Sequence, residues 1–324
     1  MRGVTVIGKK DISLVRYFDD NARYADLLNG YVFHGDQVIS AEDVQEVDSR
    51  VTGIEVNPVE NEIKYTQKFR DFVRKTIFGV GCVIVEIENQ ERIHYAMPIR
   101  VLSEEAKEYE RQLKRVQKRH EVQKDLKKSD EFLGKFAKED SVKGIVSLVV
   151  YYGKEPWDGP MDLYEMLDLE EIPNEMRHLM NHYPIHVLEV RRFKNTEWFK
   201  TDLREVFEVI QHAESKKSLK KFVESNEERL NNMARDACEL IAVVTDTPEF
   251  AFRDKAYETG EGNVKMCQGM KEWLEEKYEE GHAEERVRSI ANIMQNLNLS
   301  LEDACRGLGI SVEEYNKAKT ILAR

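Results

Sequence analysis

The chain has 324 residues and a mass of 37.9 kDa, a length that allows about two domains and excludes a disulfide-stapled mini-protein. Hydrophobic residues make up 41% of the chain, which is enough to build a packed interior and argues against wholesale disorder. The net charge of −12 excludes a protein that coats nucleic acid through bulk positive charge, but it leaves room for a locally basic groove.

The four cysteines form no CxxC pair, so neither a structural zinc site nor a disulfide framework is indicated. The longest apolar run, Gly144 to Tyr152, is far shorter than the roughly 20 residues of a spanning helix. The residues before Asp11 contain no signal-like apolar region. We therefore expect a cytoplasmic protein without a membrane partner.

The first elements are predicted from apolar spacing. Residues 13–31 have a helical pattern with a break at 19–21, and residues 44–52 can form a short strand. A β-branched run over 82–87 predicts a buried strand. A helix with Pro98 in its first turn follows, because apolar residues recur there at steps of three and four. That stripe consists of Ile99, Leu102, Ala106, Tyr109, Leu113 and Val116.

Two further strands are predicted at 145–152 and 185–190, whereas the chain beyond Thr201 is a series of amphipathic helices, with a weak strand signal only at 240–244. Serine caps at Ser300 and Ser311 indicate short helices in the tail. We predict an α/β core over 1–200, a helical extension over 201–270 and a C-terminal helical tail over 271–324.

The most informative polar cluster is Glu88-Asn89-Gln90, which directly follows the strand over 82–87. A strand end can hold the Glu88 carboxylate, the Asn89 carbonyl and the Gln90 amide at one point. These oxygen ligands suit Mg²⁺, and a second carboxylate must come from elsewhere. Asp48 is the candidate, with an ordinary strand-end aspartate as the alternative. Glu86 points to the same strand face as Glu88, and it is as well suited to pairing with a lysine as to binding the metal.

Two other patterns have ordinary explanations beside functional ones. Residues 107–128 hold nine basic and four acidic residues, which fits either a phosphate-binding surface or the solvated face of a helix. His178, His182 and His186 are spaced four apart, but Pro184 interrupts the helix that would align them. We therefore expect these histidines to be surface or core residues rather than ligands of a metal.

Three sequence blocks resemble one known family: residues 19–29, residues 88–100 and residues 151–160. They are similar to the recombination-promoting nuclease, or putative transposase, family within the PD-(D/E)XK nuclease superfamily. The resemblance implies a restriction-endonuclease-like mixed β-sheet core flanked by helices, followed by an all-helical C-terminal region. It also implies an Mg²⁺-dependent DNA endonuclease in which Mn²⁺ can replace Mg²⁺, and a homodimer formed through the helical C-terminal region.

By this resemblance Asp48 and Glu88 bind the metal, Gln90 orients the attacking water and Asp26 is the candidate acid on the preceding helix. Much of the superfamily has lysine where this chain has Gln90, and a neutral amide cannot supply positive charge to the reacting phosphate. Arg100 or Lys64 is a candidate for that charge. The residues expected to contact DNA are Arg100, Lys107, Arg111, Lys114, Arg115 and Lys118.

Two alternatives stay open. A degenerate member can keep the fold and contact DNA or a protein without cutting, as Gln90 and the acidic balance permit. The helical half can instead be the functional part, with the core as a scaffold. In its tail, the predicted helices over 287–297, 301–307 and 312–322 resemble a helix-turn-helix in outline. The would-be recognition helix begins with acids after Val312, which favours self-association or simple capping over DNA reading.

Overall fold

The computed structural model describes residues 9–46, 53–56, 63–66, 72–75, 81–86, 93–260 and 262–323. The protein is mixed α/β and mostly helical. It divides into two compact units. The first is Met1–Gln211 with Glu239–Asp246, and the second is His212–Cys238 with Thr247–Arg324. The chain therefore first leaves the α/β unit at Gln211, eleven residues beyond the boundary predicted at residue 200.

The described strands are β1 Gln45–Glu46, β2 Gly53–Val56, β3 Ile63–Thr66, β4 Phe72–Lys75, β5 Gly81–Glu86, β6 Ile145–Tyr151 and β7 His186–Glu189. The described α-helices are α1 Lys9–Phe18, α2 Asn21–Val32, α3 Met97–Gln123, α4 Ser129–Gly134, α5 Asn174–Arg177, α6 Leu203–His212, α7 Lys216–Ser225, α8 Glu227–Leu230, α9 Arg235–Val244, α10 Met266–Leu297, α11 Leu301–Gly307 and α12 Val312–Leu322. None of these helices is long and apolar enough to cross a bilayer.

The main sheet has five strands in the order β1-β4-β5-β6-β7. β4 pairs antiparallel with both β1 and β5, whereas β5, β6 and β7 run parallel to one another. The long helix α3 connects β5 to β6, as a parallel pair requires a crossover. β2 and β3 form a separate antiparallel pair. The predicted strands at 82–87, 145–152 and 185–190 are confirmed within one or two residues.

Strand β6 packs on both of its faces. Val149 and Tyr151 join Met97 and Val101 of α3 in one buried cluster. Because side chains alternate along a strand, Leu148 and Val150 point to the opposite face, and both are also buried. The sheet is therefore covered on two sides, which explains why β6 is a continuous apolar run rather than an alternating one.

The N-terminal helices form where the spacing predicts them, with the break at residues 19–20. Asp20 causes the break: its side chain accepts hydrogen bonds from the amides of Ala22 and Arg23 and caps α2. Most residues of α2 are buried, including Tyr24 and Leu27. A single aspartate therefore ends one helix and begins the next.

Helix α3 begins at Met97 with Pro98 in its first turn, as predicted, but the predicted apolar stripe is wrong in part. Met97 and Val101 face the core, while Ile99 is 50% exposed and Leu113 is 36% exposed. Up to residue 108, the buried residues of α3 lie one or two positions before members of the predicted stripe, and polar side chains are among the buried residues of the helix. Glu108, for instance, is only 3% exposed.

The described part of the second unit is helical apart from isolated β-bridges. Ile290, Ala304 and Cys305 form a small buried cluster where the end of α10, α11 and α12 meet. Ser300 and Ser311 cap α11 and α12 through hydrogen bonds to the amides three residues on, as their spacing predicts. The first tail helix, predicted over 287–297, is longer than predicted: α10 begins at Met266 and spans 32 residues.

Candidate active site

The carboxyl ends of β5, β6 and β7 meet at one edge of the sheet, because the three strands are parallel. We call this edge the carboxyl edge. β5 ends at Glu86, two residues before Glu88 in the chain. Ligands of open α/β sheets bind at such an edge. The predicted site residues Asp48, Glu88, Asn89 and Gln90 lie outside the described residues.

Described charged groups at the carboxyl edge follow β6 and β7. Glu189, the last residue of β7, accepts a hydrogen bond from the Trp157 amide at 2.9 Å. The Glu189 carboxylate also lies 3.5 Å from Nη1 of Arg192. Another nitrogen of the Arg192 guanidinium donates to the carbonyl of Lys154. The Arg192 guanidinium therefore lies beside this strand end, and the sequence analysis did not identify it as a site residue.

One nitrogen of the Arg192 guanidinium makes no hydrogen bond among the described residues. This nitrogen, Nη1, is buried and lies within ion-pair distance of Glu189. The side chain of the neighbouring residue Arg191 is instead hydrogen-bonded within the fold, since it donates to the carbonyls of Tyr152 and Ile210 at 2.8 Å each. An arginine with a spare donor is suited to a phosphate or carboxylate oxygen. No motif spacing marks Arg192 in the sequence, so only the structure reveals it.

The block Tyr151–Pro160 closes the carboxyl edge. Trp157 packs edge-on against Tyr151 with ring centroids 5.3 Å apart, and it joins the buried cluster around Met97. The Tyr151 hydroxyl donates to the carbonyl of Glu155, and burial raises the pKa of that phenol. Only glycine fits at position 153, because a Cβ there would lie 2.1 Å from the Tyr151 ring. Trp157 therefore has a structural role at this edge.

The candidate helix acid, Asp26, is bound within the fold. It is 3% exposed, and its two carboxylate oxygens accept from the amides of Lys200 and Thr201 and from the Thr201 hydroxyl at 2.6–2.9 Å. These bonds tie α2 to the segment before α6, 174 residues away in the chain. We therefore leave Asp26 out of the proposed metal site.

The other polar residues of the 19–29 block are bonded in the same way. Arg23 forms a bidentate pair with Asp202, with both N–O distances at 2.8 Å, and its guanidinium lies 4.1 Å from the Tyr17 ring centroid. Asn29 binds the backbone of Val38 and Ile39 through both of its side-chain atoms. This block therefore builds the helical layer of the first unit.

The predicted DNA-contacting residues divide into paired and unpaired groups. Lys107 pairs with Glu104 at 2.6 Å and Arg111 with Glu108 at 2.6 Å. Arg115 lies 3.8 Å from the same Glu108 carboxylate. Lys114 and Lys118 are exposed and have no ion pair in the described ranges, whereas Arg100 is half-buried. Lys64, the other candidate for the missing charge, belongs to β3 and therefore to the separate two-stranded sheet.

No group of three or more histidine, cysteine, aspartate or glutamate side chains in the described ranges is placed to hold a metal ion. His182 is 66% exposed and contacts Asp162 at 3.3 Å. The Asp162 pKa is lowered despite partial burial, because the amides of Tyr164 and Tyr183 and the His182 ring donate to the carboxylate. The donors predicted to hold Mg²⁺ fit that ion by type, since they are carboxylate and carbonyl oxygens.

Comparison with known proteins adds no relative: no family model matches the sequence, and no curated protein and no solved structure is similar to it.

Proposed function

We propose that the protein is an Mg²⁺-dependent DNA endonuclease with a restriction-endonuclease-like core, active in recombination or mobile-element biology. The observation that carries the proposal is the course of β5. This strand lies in the middle of a mixed sheet, runs parallel to β6 and ends two residues before Glu88 at the carboxyl edge. That course agrees with the resemblance, which assigns a metal-binding carboxylate to Glu88.

In the proposed site Glu88 and a second carboxylate hold the cation, with the Asn89 carbonyl as a further oxygen ligand. When bound, Mg²⁺ polarises a phosphate oxygen and lowers the pKa of a water. The Gln90 amide orients the attacking water, because it can both donate and accept a hydrogen bond. The attack is in line with the phosphorus–oxygen bond that breaks, and the 3′ oxygen leaves. Little side-chain acid–base work is then required, so a site without histidine suffices.

Arg192 supplies the positive charge that Gln90 lacks. Its guanidinium lies at the carboxyl edge beside Glu189 and has a buried Nη1 without a hydrogen bond among the described residues. A phosphate oxygen is a suitable partner for such a donor. We expect Arg192→Lys to keep part of the cleavage rate and Arg192→Gln to lose about a hundredfold to a thousandfold, as removal of one hydrogen-bond donor to a transition state does.

The second carboxylate has two candidates. Asp48 follows the end of β1 by two residues, and Asp71 directly precedes the first residue of β4. β4 pairs with β5 itself, whereas β1 lies one strand further away, a difference of about 4.8 Å. This topology adds Asp71 as a competitor of Asp48, which was selected from its surrounding sequence and from the resemblance.

Nicking of supercoiled plasmid tests the proposal. Wild type, Asp48→Asn and Asp71→Asn are compared with Mg²⁺, Mn²⁺, Ca²⁺ and EDTA. We expect nicking by wild type with Mg²⁺ or Mn²⁺ and none with EDTA, and the variant that is folded but inactive identifies the second ligand. A wild type that binds plasmid in every buffer and never nicks it would favour the alternative, a degenerate DNA-binding member of the same fold.

The proposal includes a homodimer formed through the helical C-terminal region. Its support is an exposed leucine at the end of each tail helix. Leu297 is the last residue of α10, Leu308 follows α11 and Leu322 is the last residue of α12, and these side chains are 64%, 38% and 39% exposed. Multi-angle light scattering of the full chain tests it. We expect twice the chain mass for wild type and a lower mass for Leu297→Lys, and a monomeric wild type would contradict it.

A further inference from the structure

Helix α3 extends well beyond the sheet. Met97 packs beside Tyr151 at the carboxyl end of β6, whereas the Tyr109 hydroxyl accepts from the Ile145 amide at the other end of that strand. The helix then continues to Gln123, about 21 Å further at 1.5 Å per residue. Residues 112–143, which we call the overhanging hairpin, contain this extension, α4 and the return to β6.

Polar contacts hold the overhanging hairpin together. His120 is 6% exposed and lies between two carboxylates, with Asp125 at 2.5 Å from Nδ1 and Asp140 at 2.6 Å from Nε2. Gln112 binds the backbone of Lys143, and Gln117 donates to the carbonyl of Gly134 at 2.9 Å. The two arms are therefore fixed against each other without a large apolar core.

These contacts use most of the acids and leave lysines unpaired. The overhanging hairpin has ten basic and six acidic residues. Four of the acids are bound within it: Asp125 and Asp140 hold His120, Glu121 pairs with Lys135, and Glu131 accepts from the amides of Lys127 and Lys128. The lysines that are exposed and have no ion pair in the described ranges are Lys114, Lys118, Lys124, Lys127, Lys128, Lys138 and Lys143.

The tip of the overhanging hairpin also exposes apolar side chains. Leu133 is 93% exposed and Phe132 is 59% exposed, both in α4, and Val122 near the end of α3 is 75% exposed. Contiguous exposed apolar residues mark an interaction site more often than isolated ones do. Phe132 and Leu133 lie in the sequence between Lys128 and Lys135, so the partner has to combine negative charge with a surface that accepts an apolar side chain.

We propose that the overhanging hairpin is a second contact with duplex DNA, in which the lysines bind backbone phosphates and Leu133 enters a groove. This inference rests on the proposed function. DNA fits because phosphates recur along both strands, and because proteins that distort duplexes insert apolar side chains between base steps. The length of α3 sets the separation: the 26 residue-to-residue steps from Met97 to Gln123 span about 39 Å, or about 11 base pairs.

The test measures binding of the full chain to 10- and 30-base-pair duplexes by fluorescence anisotropy in EDTA, so that cleavage plays no part. We expect the longer duplex to bind more tightly after correction for the number of binding registers. The combined variant K114Q/K118Q/K127Q/K128Q should lose this preference. Its slope of log affinity against log salt should fall by about 3 to 4, at about 0.9 for each phosphate that the variant no longer neutralises.

A matched control removes the same charge elsewhere. K216Q/K217Q/K220Q/K221Q changes four exposed lysines of α7 in the second unit and should bind like wild type. Equal circular dichroism melting curves show that both variants fold. Equal losses of affinity in the two variants, or wild-type affinity independent of duplex length, would overturn the inference.

Two more arms separate this inference from the proposed function. Wild type that nicks plasmid, together with a hairpin variant that binds DNA normally, would overturn the inference and leave the nuclease proposal standing. Hairpin-dependent binding without any metal-dependent nicking would support the inference and contradict the nuclease proposal. Binding of the full chain to vesicles containing phosphatidylserine, lost in the hairpin variant and without binding to either duplex, would also overturn the inference.

Discussion

Two regions of the first unit use charged residues in opposite ways. Along α2, Arg23 and Asp26 are buried and hydrogen-bonded to residues near position 200. In the overhanging hairpin, lysines such as Lys114 and Lys127 are exposed and have no ion pair in the described ranges. The first pattern stabilises the fold, since a buried charge is tolerated only when it is paired. The second avoids the desolvation cost of burying a charge and leaves charge available for a partner.

The difference bears on how sequence blocks are interpreted. Blocks 19–29 and 151–160 both carry the family resemblance, and the structure explains their polar and glycine residues by contacts within the fold. The overhanging hairpin belongs to none of the three blocks. A specific motif therefore marks an architecture, and the surface that contacts a partner can lie outside it.

The largest expected effect concerns Asp26. Asp26→Ala leaves two amides and a hydroxyl without their acceptor, so we expect unfolding free energy to fall by about 3–5 kcal/mol. Urea unfolding measures this change. Asp36→Ala, at an exposed aspartate of the same segment, should stay within about 0.5 kcal/mol of wild type.

An Asp26→Ala protein of normal stability that has lost Mg²⁺-dependent nicking would contradict this account. It would place Asp26 in the catalytic site, as the resemblance implies, and would remove the contrast between the two regions.

A smaller effect is expected at Gly153. A methyl group there would lie 2.1 Å from the Tyr151 ring, so Gly153→Ala must displace a buried aromatic side chain. We expect a loss of about 1–3 kcal/mol, the usual cost of overpacking. Gly144→Ala is the control, because nothing lies within 4 Å of its added Cβ. Equal stability of the two variants would show that the 151–160 block is not tightly packed at the carboxyl edge.

The smallest effect is a pH dependence of the overhanging hairpin. Hydrogen bonds to Asp125 and then to Asp140 raise the pKa of His120, with burial acting in the opposite direction. A raised pKa in the folded state stabilises the protein at pH values below the unfolded value of about 6.5, and this contribution disappears as pH rises through the folded pKa. The hairpin should therefore be held more firmly at pH 6 than at pH 9.

Thermal unfolding of wild type and His120→Gln measures this effect. The melting temperatures should differ more at pH 6 than at pH 9. A difference of the same size at both pH values would show that the His120 charge does not hold the hairpin. A larger difference at pH 9 would show that the charged form of His120 destabilises the folded protein.

Local patterns predicted much of the fold. The break before α2, the start of α3, the strands β5 to β7 and the two serine caps follow from spacing and capping residues close in the chain. The weak strand signal at 240–244 was wrong, because those residues belong to α9. β-branched residues occur in buried helices as well, and periodicity in a short apolar run does not separate the two.

Contacts distant in sequence were not predictable. Asp26 binds residues 174 positions away, so its spacing could not reveal that its carboxylate is already occupied. The spare donor of Arg192 depends on the way β7 ends beside Glu189. The length of the overhang depends on where β6 meets α3, at Tyr109. The pairing of Asp48 with Glu88 stays a prediction, since both lie outside the described residues.

The most direct test of the nuclease proposal is the single-turnover nicking rate in Mg²⁺ of Glu88→Gln beside Glu86→Gln. The two variants carry the same substitution two residues apart, at and just beyond the end of β5. Loss of a supporting residue around a metal site costs about 10- to 100-fold, so loss of a direct ligand should slow nicking at least about a hundredfold. We expect that loss in Glu88→Gln and a rate near wild type in Glu86→Gln. Equal rates in the two variants and wild type would contradict a metal-dependent active site at the carboxyl edge.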